Sequence, residues 1–303
     1  MTHYQLVSSN IWKSWLIIAG FATFVIGAAA LIVYGLGYGP DMLAIALVVS
    51  IALSFGSYWW SDKIILSVSG ARPATRQEFF DYYTVAENLA SSQQMPIPKL
   101  YVIDDTAMNA FATGRDPEHA AIVATTGILS RLSRPEIEGV VAHELSHVKN
   151  YDIRLMSVVA VLVGMIALLA DWVLRMSSFG RGNRDSDRGG GQIRAILFVV
   201  GLVLALLSPL IAQLIQLAIS RRREFLADAS ATAMTKNPEG LARALEKIST
   251  DTEPLEAANK ATAHLYIANP LKNHHDTVGW FAGLFATHPP VKERVQALRS
   301  LTQ

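Results

Sequence analysis

The chain has no cysteine among its 303 residues. That excludes a disulfide framework, a thiolate metal site, an iron–sulfur cluster and a cysteine nucleophile at once. Charge is scarce as well. Asp, Glu, Lys and Arg make up 17%, and 26 basic against 25 acidic residues leave a net charge of +1. Without a basic excess the chain does not read as a nucleic-acid binder. With 51% hydrophobic residues it does not read as disordered. Any metal has to be held by His, Asp or Glu.

What the chain does contain is apolar sequence in blocks. Ser14–Tyr34 and Met42–Trp60 carry no charge, Leu155–Leu174 carries only Asp171, and Ala195–Ile219 carries none. At about 1.5 Å per residue, roughly 20 helical residues match a hydrocarbon core of about 30 Å. The sequence therefore predicts four transmembrane helices. Trp12, Trp15, Tyr34, Tyr38, Trp59 and Trp60 stand at the borders of the first two, where aromatic side chains favour the interface. Ala28–Ala30 offer the small residues of a signal-peptide cleavage site, but the apolar run continues through Tyr34, longer than a usual signal core.

Lys and Arg set the orientation. Lys13 precedes the first stretch, the connection 35–41 has neither residue, and Lys63, Arg72 and Arg76 follow the second. Arg221, Arg222 and Arg223 follow the fourth. This places both termini and the polar body in the cytoplasm. One loop runs against the bias: Arg181, Arg184 and Arg188 lie between the third and fourth stretches, flanked by Arg175 and Arg194. The expected organisation is a membrane hairpin over 1–60, a first catalytic part over 61–154, a second hairpin over 155–219 and a second catalytic part over 220–303.

The polar blocks read as mainly helical with a small sheet. Thr75–Glu78 has the form of a capping box opening a helix through Leu89–Ala90, which Pro96 and Pro98 end. Leu100–Ile103 and Ala120–Ala124 are short strands. Ser133–Glu136 is a second capping box, with Pro135 in the first turn, opening a helix to about Asn150. Asn237-Pro238-Glu239 starts another helix. A last amphipathic helix follows Pro289-Pro290, with Val291, Val295, Leu298 and Leu301 on one face.

The chemistry is carried by His143-Glu144-Leu145-Ser146-His147 on the helix opened by Ser133. Residues four apart share a helix face, so both imidazoles can reach one ion, and Glu144 lies beside them to act on a water. A hydrolytic zinc site needs a third protein ligand and an open position. Glu224 is the candidate, with Asp228 one turn on to hydrogen-bond a ligand histidine from behind.

With these motifs in hand, the chain resembles the HtpX-type membrane zinc endopeptidases, relatives of the CAAX prenyl proteases. The resemblance runs over nearly the whole length. It rests on His143–His147, Glu224-Phe-Leu-Ala-Asp228, Asn109-Ala-Phe-Ala-Thr-Gly114 and His288-Pro-Pro-Val-Lys-Glu-Arg294. It implies a zincin-like α+β catalytic domain with one zinc ion per chain. It also implies a multi-pass protein of a bacterial inner membrane, with its active site in the cytoplasm, acting in quality control on membrane or misfolded proteins. The partners implied are the bilayer and those substrates. By the same resemblance, His288 or Arg294 is the donor to the substrate oxygen and Asn109 aligns the substrate backbone. From the residues alone, His288 is equally a helix-start residue before Pro289, and Asn109 a turn residue.

A parity constraint follows. His143 and His147 precede the third apolar stretch and Glu224 follows the fourth, so one ion requires that both stretches span or that neither does. Both spanning is the expectation, with Asp171 read as interfacial rather than as a proton relay. The rival function class is a catalytically inactive membrane scaffold or a divalent-metal transporter. A transporter places its ligands near the bilayer midplane. The four apolar stretches contain no histidine.

Overall fold

The computed structural model describes residues 3–35, 40–161, 221–256, 258, 262, 265–268 and 289–301. The third apolar stretch beyond 161, the whole fourth stretch, Asp171, the Arg-containing loop and His288 lie outside the described residues.

Helix α1 spans His3–Gly35 and α2 spans Pro40–Trp59, and the two pack on each other. Among the described residues, no helix is long and apolar enough to cross a membrane. Many side chains of α1 and α2 stand outside the described set. The described ones show an exposed apolar stripe: Ile45, Val48, Ile51, Phe55 and Trp59 recur every three or four residues along α2. Helix α3 (Ser61–Val68) continues toward the polar body.

The body is built on a four-stranded sheet. Its strands are β1 (Arg72–Pro73), β2 (Lys99–Ile103), β3 (Ala110–Thr113) and β4 (Ala121–Thr125), in the order β1-β2-β4-β3. β2 and β4 are parallel; β1–β2 and β3–β4 are antiparallel. β4 is buried at every position, because both faces of the sheet are covered. Ala110, Ala112, Ile122 and Ala124 turn to one core cluster, and Phe111, Ala121 and Val123 to another, the two-residue alternation of a strand.

The first cluster is filled from α4 (Phe80–Ser92), α6 (Arg134–Lys149) and α8 (Pro238–Thr250). A short α5 (Thr126–Arg131) follows β4, α7 (Arg221–Thr235) lies on α6, and α9 (Val291–Ser300) lies on α7 and α8. Helix α6 is central: it contacts α4, α7, α8 and β3. Its approach to α8 depends on a missing side chain. A Cβ on Gly139 would sit 2.6 Å from the Leu241 backbone nitrogen.

Three local expectations change. Thr75–Glu78 does not cap α4, which begins at Phe80; the Glu78 carboxylate instead takes two bonds from Arg72, at 2.7 and 3.0 Å. Residues 110–113 form a strand that the sequence does not announce. On α9, Val295 and Leu298 are buried as expected, but Leu301 is exposed and Arg294 is buried in its place.

Candidate active site

Helix α6 starts where the capping box predicts. The Ser133 N–H donates to Glu136 Oε2 at 2.7 Å, and the Ser133 side chain caps the Glu136 backbone. From Ile137 to Val148 nearly every residue is buried. Polar side chains on such a helix need partners, since an unpaired buried polar group costs several kcal/mol. Those of His143, Glu144 and His147 have them.

The two histidines present Nε2 to each other at 3.2 Å, with their rings nearly perpendicular. Glu224 on α7 closes the group: Oε2 lies 3.7 Å from His143 Nε2 and Oε1 lies 3.5 Å from His147 Nε2. The ligand-type atoms of the three residues all lie within 4.8 Å of one another, and all three residues are buried. Donors about 2.0–2.1 Å from a tetrahedral ion stand roughly 3.3 Å apart. Two imidazoles and a carboxylate oxygen at these separations could hold one such ion.

Each histidine is backed by a carboxylate. His143 Nδ1 lies 3.0 Å from Asp228 Oδ1, and His147 Nδ1 lies 3.1 Å from Asp152 Oδ2. This fixes which nitrogen of each ring points inward. Burial drives His143 toward its neutral form against the pull of Asp228. For His147 burial acts the same way, but the hydrogen bond to Asp152 and the charge of Glu224 outweigh it and push its value up to about 9.

Glu144 is buried beside the histidines, and the Ala112 N–H of β3 donates to it. Burial and the neighbouring Glu224 raise its carboxyl to about 7, against His147 and Arg294, which lower it. A general base works best with a pKa near the operating pH.

Asp228 lies behind His143. Arg294 reaches the site differently from the expectation. The sequence leaves Arg294 as a candidate donor to the substrate oxygen. In the structure it is fully buried, and its fork is engaged by Asp228: Nε donates to Oδ2 at 2.8 Å and Nη2 to Oδ1 at 2.7 Å. Nη1 stands 3.6 Å from Glu224 Oε2. This bidentate bond holds Asp228 well below the usual carboxylate range in spite of its burial.

Asn109 lies beside β3, and its side chain is used within the chain. Its Nδ2 donates to the Ala268 carbonyl at 3.0 Å, its Oδ1 accepts from the Ala110 N–H at 3.1 Å, and Ile267 N donates to the Ala110 carbonyl at 2.9 Å. Residues 267–268 thus lie against the outer edge of β3. His288 lies outside the described residues. Asp152 is the side chain that sequence reasoning misses. The sign of it is a carboxylate in the turn just past Asn150, where Tyr151 takes a positive φ of 58° and swings residue 152 back toward His147.

Comparison with known proteins agrees with this geometry. Residues 77–302 match peptidase family M48. A protease HtpX homolog of Dictyoglomus thermophilum is 43% identical over 300 residues, covering 99% of this chain and 95% of its own length. That of Streptococcus pneumoniae is 39% identical over 306 residues, covering 98% and 99%. The crystal structure of S. mikatae Ste24p superposes with a TM-score of 0.50 over 97% of this chain and 67% of its own, at 20% identity, which shows a shared fold. The chain belongs to peptidase family M48 and is a metalloendopeptidase.

Proposed function

We propose that the protein is a membrane-embedded zinc endopeptidase that cleaves peptide bonds at the cytoplasmic face of a bacterial inner membrane, one zinc per chain, in the quality control of membrane or misfolded proteins. The observation that carries the reading is the buried His143–His147–Glu224 triangle with Glu144 at its side. The donor set fits the ion: two imidazole nitrogens and one carboxylate, each histidine backed by an acid, at separations of 3.2 to 3.7 Å.

When bound, the ion supplies Lewis acidity and brings the pKa of a water toward about 7. His143, His147 and Glu224 hold it. Glu144 takes the proton of the attacking water and passes it to the leaving amine nitrogen, so that water oxygen bonds to the carbonyl carbon as the C–N bond breaks. Asp228 and Asp152 keep the two imidazoles in the tautomer that binds metal. Arg294 acts through Asp228 and Glu224 rather than on the substrate. By the resemblance, His288, just before α9 in the sequence, would be the donor to the carbonyl oxygen. By the same resemblance Asn109 would align substrate backbone along β3, where its side chain holds residue 268.

The exposed stripe from Ile45 to Trp59 supports the bilayer reading, because an apolar surface of this length on a water-soluble body needs a cover. The four-span topology, with 155–174 and 195–219 as a second hairpin, is part of the proposal. A scaffold or transporter draws no support from the relatives, which are named as proteases.

The test is Glu144→Gln in the purified full chain. Bound zinc should be retained while cleavage of an unfolded protein falls by about 10²- to 10⁴-fold. Activity at the wild-type rate would remove Glu144 as the base.

A further inference from the structure

Helix α1 enters the sequence as a membrane anchor, yet its second turn does something else. Asn10 is 3% exposed, and one buried amide there ties three segments together. Its Nδ2 donates to Asp152 Oδ1 at 2.7 Å and to the Asn150 carbonyl at 3.0 Å. Its Oδ1 accepts from Arg223 Nη1 at 3.4 Å, and that same nitrogen stands 3.6 Å from Asp152 Oδ1. The other oxygen of Asp152 faces His147 Nδ1. Arg223 directly precedes Glu224 in α7.

We infer that Asn10 is a positioning residue for the metal site, acting on His147 through Asp152 and on the Glu224 side through Arg223. The inference rests on the zinc reading of His143, His147 and Glu224. The physical reasoning is short. Asp152 orients His147 only if its own carboxylate is held, since a lone buried carboxylate rotates toward whatever donor it can reach. Asn10 supplies a donor that carries no charge and fixes one oxygen, leaving the second for the imidazole. It also pins the Asn150 carbonyl at the end of α6, where Tyr151 takes the positive φ that turns the chain toward Asp152. A partner that bonds a ligand directly, as Asp152 bonds His147, typically changes metal affinity by about 10- to 100-fold, and Asn10, one bond further out, falls at the low end. In this arrangement the N-terminal helix belongs to the catalytic machinery as well as to the membrane part.

Zinc affinity of the full chain in detergent, measured by competition with a chromophoric chelator, tests it. Asn10→Ala should weaken zinc binding by about 10-fold. Ser14→Ala should change it less than about 2-fold, because Ser14 is equally buried one turn on but among the described residues bonds the Asn10 carbonyl alone. Asp152→Asn should weaken binding, and adding Asn10→Ala to it should cost less than Asn10→Ala costs alone, since the route through Asp152 is then already lost and only that through Arg223 remains. Asn10→Asp, of the same size, removes the donor without leaving a cavity and should weaken binding at least as much if Asn10→Ala does not fold. Wild-type affinity in both Asn10 variants, an equal loss in Ser14→Ala, or full additivity with Asp152→Asn overturns the inference. A wild-type chain that binds no zinc, or binds it independently of Glu224, overturns instead the functional reading beneath it.

Discussion

Glu136 shows what a buried carboxylate needs in this fold. It accepts from the Ser133 N–H and from Lys247 Nζ, each at 2.7 Å. Against the cost of burial, these partners hold its carboxyl below the usual glutamate value of 4.5. A carboxyl depressed in the folded state contributes stability that is present above its ordinary pKa and is lost as pH falls through the folded one. Glu136→Gln should therefore lower stability by about 1 kcal/mol at pH 7, the scale of a lost helix cap. The gap to wild type should narrow as pH falls below the usual glutamate value and through the lower folded one. Denaturant unfolding across that range measures it, and an unchanged gap would mean that the charge contributes nothing. At this scale the sequence is legible where a spacing has one physical meaning. Ser133 and Glu136 cap α6, and His143 and His147 meet four residues apart. It is less legible where a partner far along the chain decides. Glu78 has the capping spacing but turns to Arg72. Apolar periodicity assigns Leu301 to the core, while Arg294 takes that burial because Asp228 waits there with both oxygens.

Between elements, the site depends on how closely α6 lies to its neighbours. Glu224 and Asp228 reach the histidines from α7, and α8 supports α6 from another side through Gly139. A methyl at 139 meets the Leu241 backbone, which cannot rotate away. Gly139→Ala should destabilise the protein by about 1–3 kcal/mol, the cost of overpacking. It should also reduce activity in a thermal or denaturant series before the fold is lost. A variant as stable as wild type would contradict the tight α6–α8 approach. The strand β3 shows why part of the architecture is not legible. Ala110–Thr113 has no long alternating pattern, and it becomes a strand because β4 pairs with it on one side and α6 covers it. Its consequence for the site is large, since Ala112 donates to Glu144 from that strand. The helices, with their caps and repeated apolar positions, are far better marked along the chain.

The whole molecule joins a polar catalytic body to long apolar segments, and the joint is specific. The Arg115 guanidinium stacks 4.7 Å over the Trp59 ring and its Nη1 donates to the Trp59 carbonyl, while Arg154 lies over Tyr58. These contacts hold the end of α2 against the β3–β4 connection and the segment just past Asp152. The absence of cysteine, an exclusion at first sight, leaves imidazoles and carboxylates as the metal ligands available to it. Because His143 and Glu224 flank the two later apolar stretches, one ion requires an even number of crossings between them. With both stretches spanning, as proposed, a topology reporter inserted near Gly190 should report from outside the cytoplasm; a cytoplasmic signal would defeat that reading. If His143, His147 and Glu224 hold one catalytic zinc, elemental analysis of the purified chain will find one zinc per wild-type chain and a several-fold loss in Glu224→Ala under the same dialysis. A full zinc complement in Glu224→Ala would contradict it.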